Sequence, residues 1–89
     1  MDKMFRVRID GEAEGAGDRW PTLAEMQHFV GGFVEHVRVL TSDGEEIHML
    51  VNEDGLRIGL PLNRVATLLY GAPIVGNAWV WWGPLPEDA

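Results

Sequence analysis

Four polar residues, Glu35, Asn52, Glu53 and Asn63, carry the side chains of this 89-residue sequence that are best suited to binding. Their carboxylates and amides can hold a small ligand or a partner's backbone, and Arg64 can pair with Glu35 or Glu53. The same oxygens can instead stabilise turns by accepting hydrogen bonds from backbone amides. No nucleophile–base pair and no phosphate-binding glycine loop accompanies them, so we predict no catalytic residues and no enzyme activity.

The three histidines do not form a metal-binding pattern in the sequence. His28 falls in a predicted helix, and the predicted hairpin directs His36 and His48 to opposite faces of the sheet. The chain has no cysteine, which excludes thiolate ligands and disulfide bonds. We therefore predict neither a metal ion nor another cofactor.

The charge balance is acidic, with 7 basic and 14 acidic side chains and a net charge of −7. Direct binding to a nucleic-acid backbone needs clustered Lys and Arg, so we do not expect it. An acidic surface suits a basic protein partner or mimicry of a nucleic acid.

One long segment, Val65–Pro86, contains no charged residue and could span a bilayer by its length. Glycines and prolines interrupt it repeatedly, so we predict a helix end, a turn and a strand rather than a membrane helix. Small secreted domains usually contain disulfide bonds, so a cysteine-free chain of this size is expected in the cytoplasm.

Hydrophobic periodicity and capping signals predict four strands and two short helices. In chain order these are a strand at Met4–Asp10, a helix from the Thr22–Glu25 capping box to Gly31, strands at Phe33–Leu40 and Glu46–Val51, a helix at Arg64–Tyr70 capped by Asn63, and a last strand formed by Pro73–Gly76 and Ala78–Trp82. The β-α-β-β-α-β order predicts a small single α+β domain, residues 1–89, with a mainly antiparallel sheet and a loose tail at 82–89.

The hairpin between the two middle strands sets the geometry of the polar residues. A two-residue Asp43-Gly44 loop would pair Ser42 with Glu45. Continued along the strands, this register places Glu35 directly opposite Asn52 on one face of the sheet. Asn63 would approach them if residues 59–62 fold back.

The last strand contains the sequence Trp79-Val-Trp-Trp82, so both of its faces are apolar. Two short helices are not expected to cover both faces of the sheet. We therefore predict Trp79 and Trp81 as an interface for a protein partner, for self-association or for an apolar ligand. The alternative is a core strand that is covered on both sides within the domain.

Four ordered blocks resemble a family of small phage, plasmid and bacterial proteins known as a domain of unknown function. The blocks are Val30–Glu35, Val51–Gly55, Gly59–Arg64 and Pro73–Asn77, and the similarity covers roughly residues 23–82. The Ala66-Thr67 pair and the Trp-rich last strand depart from the family pattern. The resemblance implies an accessory protein of a phage or mobile element and implies no catalytic activity.

Taken together, these features predict a non-catalytic protein-interaction module that modulates a host protein, such as a defence factor. Two alternatives remain open from the sequence. One is a protein that binds or sequesters a small nucleotide-like ligand by stacking on Trp79 or Trp81. The other is an acidic mimic of nucleic acid.

Overall fold

The computed structural model describes residues 2–87 and 89. Five strands form one antiparallel sheet in the spatial order β2-β1-β5-β4-β3. The elements are β1 (Met4–Val7), β2 (Ala13–Gly15), α1 (Leu23–Val30), β3 (Val34–Leu40), β4 (Glu46–Asn52), α2 (Arg64–Tyr70) and β5 (Ala78–Trp82). The predicted α+β class and element order are confirmed, with one additional strand. Within the described ranges, no helix is long and apolar enough to cross a membrane.

The additional strand, β2, lies within residues 11–18, where the sequence pattern predicts neither a strand nor a helix. The chain reverses after β1, where the Arg8 N–H donates to the Glu12 carbonyl at 2.8 Å and Gly11 has a φ of 92°. The carboxylate of Glu14 then lies 2.7 Å from Nε of Arg6 and 3.1 Å from a terminal nitrogen of Arg8. The three residues of β2 are all exposed, so they carry no apolar alternation by which a strand can be recognised.

The turn between β3 and β4 is one residue longer than predicted. Thr41 donates its N–H to the carbonyl of Glu45 at 2.9 Å and accepts a hydrogen bond from the N–H of Gly44 at 3.0 Å. The loop is therefore Ser42–Gly44. Gly44 has a φ of 88°, the left-handed conformation that closes a three-residue loop after a type I turn. The Asp-Gly pair occurs in both loop types, so it did not distinguish them.

This shift of one residue corrects the predicted register, because side chains alternate between the faces of a strand. Glu35 lies opposite Val51 rather than Asn52. Glu35 and Asn52 therefore point to opposite faces of the sheet, against the prediction. His36 and His48, which were predicted to point to opposite faces, lie on the same face.

One helix packs on each face of the sheet, whereas the sequence predicts that two short helices do not cover both faces. Under α1 lies a cluster of buried residues, namely Met4, Val30, Leu50, Trp79 and Trp81. Under α2 lies a second buried cluster, namely Val7, Ile47, Met49, Val51, Ala66, Ile74, Ala78 and Val80. The central strands β4 and β5 contribute to both clusters and are therefore buried on both sides.

The predicted capping box at the start of α1 is present. The Thr22 hydroxyl accepts from the Glu25 N–H at 3.1 Å, and the Glu25 carboxylate accepts from the Thr22 N–H at 2.8 Å. Both terminal nitrogens of Arg19 also donate to this carboxylate, at 3.1 and 3.0 Å. Gly31 ends the helix with a φ of 80°, so both ends of α1 follow local sequence signals.

These contacts give a first testable prediction. The hydrogen bonds from Arg19, and then that from Thr22, lower the pKa of Glu25 from its ordinary value of 4.5 to about 2. Because this pKa is lower in the folded state, the stabilisation is present above pH 4.5 and is lost as the pH falls toward 2. We expect Arg19→Gln to raise the pKa of Glu25 toward 4.5, measured by NMR titration of its carboxyl group. Arg57→Gln, the matched control, should leave it unchanged, and an equal shift in both variants would contradict the assignment.

Candidate protein-binding face

Helix α2 has only seven residues, and it leaves part of its sheet face uncovered. Beside it runs an open groove of about 680 Å³, which we call the apolar groove. Its lining residues are Asp2, Phe5, Val7, Ala13, Val65, Leu69, Val80 and Trp82. Asp2 is the sole charged residue in this lining, so the groove offers an apolar surface open to solvent.

A smaller depression of about 200 Å³, which we call the acidic cleft, lies over β3 and β4. Its lining residues are Glu35, Val37, Val51, Asn52, Glu53, Leu56, Tyr70, Pro73, Ile74 and Val75. Its floor is apolar, and the two exposed carboxylates lie at its border. No basic residue is among the described residues that line it, so the cleft favours a cationic group.

The outer surface of α2 separates these two depressions, because Val65 and Leu69 line the groove and Tyr70 lines the cleft. Leu68 projects from this helix and is 84% exposed. Helical spacing predicts that Leu68 points inward with Val65 and Leu69, and its exposure shows that this prediction is wrong. Helical spacing alone marked a wide apolar face, but the sheet beneath α2 contacts only its Val65, Ala66, Leu69 and Tyr70 side.

The two asparagines of the predicted polar set bind the chain's own backbone. Asn52 donates to the Val30 carbonyl at 3.1 Å and accepts from the Asp54 N–H at 2.8 Å. Asn63 is fully buried and donates to two carbonyls, those of Val7 at 3.0 Å and Gly76 at 2.9 Å. These hydrogen bonds hold strand ends and turns together, which matches the structural alternative for these residues.

The structure brings two of the three charged members of the predicted set to one cleft. Glu35 and Glu53 both border the acidic cleft, as does part of Asn52. Arg64 is exposed at the first position of α2. Within residues 2–87, Arg64 forms no ion pair with Glu35 or Glu53. The expected pairing with either carboxylate is therefore not present.

Trp79 and Trp81 lie in the core beneath α1, so the structure does not place them on an interface as predicted. They are only 5% and 3% exposed. Trp79 packs edge-to-face on Phe29 at a centroid distance of 5.2 Å, and Trp81 packs on Trp20 at 5.5 Å. The covering segment around Trp20 carries no strong periodic signal, which explains the error. Trp82, on the opposite face, is the tryptophan that borders the apolar groove.

The observed register brings into contact two histidines that the predicted register places on opposite faces of the sheet. Nε2 of His36 and Nδ1 of His48 are 2.8 Å apart. His48 is 3% exposed, and its Nε2 lies 3.7 Å from the Glu46 carboxylate. Burial lowers the pKa of His36, and the nearby His48 and Arg38 lower it further. Over the part of the chain that is described, no group of three or more His, Asp or Glu side chains is arranged to hold a metal ion.

Comparison with known proteins gives one family. The family model described as a domain of unknown function (DUF3846) matches residues 4–86. Neither a curated protein nor a solved structure matches the chain. The matched range contains every strand and helix. It also contains every residue that lines the apolar groove except Asp2.

Proposed function

Since the chain belongs to the family of the domain of unknown function DUF3846, we propose that it acts as a non-catalytic protein-interaction module. Its docking surface is the α2 side of the sheet. The observation that carries this proposal is the apolar groove, where a two-turn helix leaves the half-buried Phe5, Leu69 and Trp82 partly open to solvent. Exposed apolar surface of this kind is typical of binding sites for other proteins.

The charges around this surface indicate the character of the partner. The chain has a net charge of −7, and the acidic cleft presents Glu35 and Glu53 beside apolar side chains. A partner segment with apolar residues and at least one basic residue complements both depressions. Such complementarity speeds encounter and suppresses binding of acidic proteins.

The biological setting of the proposal rests on the resemblance of the four sequence blocks. In that setting the chain is an accessory protein of a phage or mobile element, located in the cytoplasm, that modulates a host protein or defence factor. The nucleotide alternative is less well supported, because Trp79 and Trp81 are buried and offer no face for stacking. The mimicry alternative is weakened by acids that are already paired, such as Glu14 and Glu25.

A pair of leucine variants tests the docking surface. Leu68→Glu places a charge on the α2 face, where the side chain is 84% exposed, whereas Leu23→Glu does so on α1, where it is 62% exposed. Both substitutions are at exposed positions, so stability should change by only about 0.5 kcal/mol. We expect immobilised wild-type protein to capture a partner from bacterial lysate, the Leu68→Glu variant to lose it, and the Leu23→Glu variant to keep it.

The capture experiment can contradict the proposal in two ways. A partner that binds both variants equally would contradict docking on the α2 face. Repeated failure of the wild-type protein to capture anything above background would count against an interaction module altogether. Light scattering after size-exclusion chromatography measures the oligomeric state of the wild-type protein and the variant. A wild-type dimer that Leu68→Glu converts to a monomer would identify the α2 face as a self-association surface instead.

A further inference from the structure

Strand β3 forms one edge of the sheet, and its backbone is available for pairing. It has seven residues, and its pairing with β4 runs without interruption from Val34 to Leu40. It contains no proline and no bulge, which are common devices that protect edge strands from further pairing. The other edge strand, β2, has only three residues, so β3 is the better template for an added strand.

The register identifies which backbone groups face outward. The Phe33 carbonyl accepts from Glu53, and the Thr41 N–H donates to Glu45. Residues 33 and 41 therefore face β4, and so do the odd-numbered residues between them, because antiparallel strands alternate. The even-numbered residues from Val34 to Leu40 direct their N–H and C=O groups away from the sheet. Within the described chain these groups have no backbone partner.

The side chains along this edge restrict what can pair with it. On the α2 face Glu35 is followed by the half-buried Val37 and Val39, and Glu35 and Val37 also line the acidic cleft. At the two ends of the strand Phe33 is 68% exposed and Leu40 is 58% exposed. An added strand would cover these apolar side chains and place one of its own residues about 5 Å from Glu35.

A second copy of this chain would not place a basic side chain opposite Glu35. If two β3 edges paired antiparallel about a two-fold axis, the residue opposite Glu35 would be another odd-numbered residue of β3 or its flanks. The residues at these positions are Phe33, Glu35, Val37, Val39 and Thr41, and none is a cation. The cationic Arg38 lies on the other face of the strand and cannot oppose Glu35.

We propose that the outer edge of β3 binds an extended segment of another protein by strand addition, with a basic side chain opposite Glu35 and apolar side chains opposite Val37 and Val39. Main-chain hydrogen bonds to the even-numbered residues supply the pairing, and the side chains supply selectivity. An acidic residue in the added strand would face Arg38, which is 55% exposed in its side chain. This surface is separate from the apolar groove, since Trp82 pairs with Ile47 of β4 rather than with β3.

A synthetic peptide tests this inference. The capped peptide Thr-Val-Glu-Ile-Thr-Lys-Thr, aligned antiparallel to β3, places Lys opposite Glu35, Ile opposite Val37 and Glu opposite Arg38. Hydrogen exchange followed by NMR should show new protection at the even-numbered amides, Val34 to Leu40. The amides of Glu35, Val37 and Val39 are already bonded to β4 and should change little.

Backbone methylation provides a matched pair of control peptides. Methylating the nitrogen of the peptide's Glu removes a group that faces β3, so we expect about tenfold weaker binding. Methylating the nitrogen of its Ile removes a group that faces solvent, and binding should be retained. Equal loss from both methylations would overturn strand addition.

A charge exchange tests the position of the basic residue. Glu35→Lys should weaken binding of the Lys-containing peptide about tenfold. A peptide with Glu in place of this Lys should bind the Glu35→Lys variant about as tightly as the original peptide binds the wild-type protein. Glu45→Lys, in the exposed turn, should do neither. No amide protection at about 2 mM peptide, or protection that appears on concentrating the protein alone, would overturn the proposal. Because Leu68→Glu should still bind the peptide, this proposal and the proposed function can fail separately.

Discussion

Replacing Asn63 with alanine is expected to lower the free energy of unfolding by about 3–5 kcal/mol. The side chain is fully buried, and its amide group donates to the carbonyls of Val7 and Gly76. Its oxygen accepts from the N–H of Ala66 at 3.1 Å, which caps α2. Alanine would remove three hydrogen bonds to buried backbone groups, and each buried group that is left without a partner costs about 1–3 kcal/mol. Urea unfolding of the purified variant measures the loss.

Asn77→Ala is the matched control for this prediction. Asn77 also bonds backbone groups, the Ile9 N–H at 3.2 Å and the Phe29 carbonyl at 3.4 Å, but these contacts are longer and partly exposed. We expect it to cost about 1 kcal/mol. If Asn63→Ala were as stable as Asn77→Ala and yet lost partner capture, Asn63 would be a binding residue rather than a structural one.

Replacing Trp79 with alanine is the second change with a large expected effect. The side chain is 5% exposed and packs on Phe29 at 5.2 Å, beneath α1. Its removal leaves a cavity between the sheet and the helix, which typically costs about 3–5 kcal/mol for a buried aromatic residue. A domain of this size has a total stability of only about 5–15 kcal/mol, so the variant should unfold at much lower urea concentration.

Trp82→Ala is the matched variant on the same strand, and it tests the partner-binding face instead of the core beneath α1. Trp82 is half-buried on the opposite face, where it borders the apolar groove. We expect a smaller loss of about 1–2 kcal/mol, measured by the same urea titration, together with loss of the captured partner. A larger loss of stability for Trp82→Ala than for Trp79→Ala would contradict the assignment of the two faces.

The predicted polar site was only partly right, because its geometry depended on one residue of hairpin register. The Asp-Gly pair correctly predicted the turn, but the Ser42–Gly44 loop has three residues instead of two. That difference placed Glu35 and Asn52 on opposite faces of the sheet and brought His36 into contact with His48. Loop length depends on how β4 packs against β5 and the core, since a wrong register would place Ile47 and Met49 on the opposite face.

The sequence by itself determined both helices of this protein and its α+β class. The Thr22 capping box, Gly31, the Asn63 cap and Gly71 act over three or four residues, so they depend little on the rest of the chain. Only the tertiary structure decided which tryptophans are buried and which face stays open. Those outcomes depend on long-range contacts, such as Asn63 to Val7 across 56 residues, whose free energy arises from burial and not from local preference.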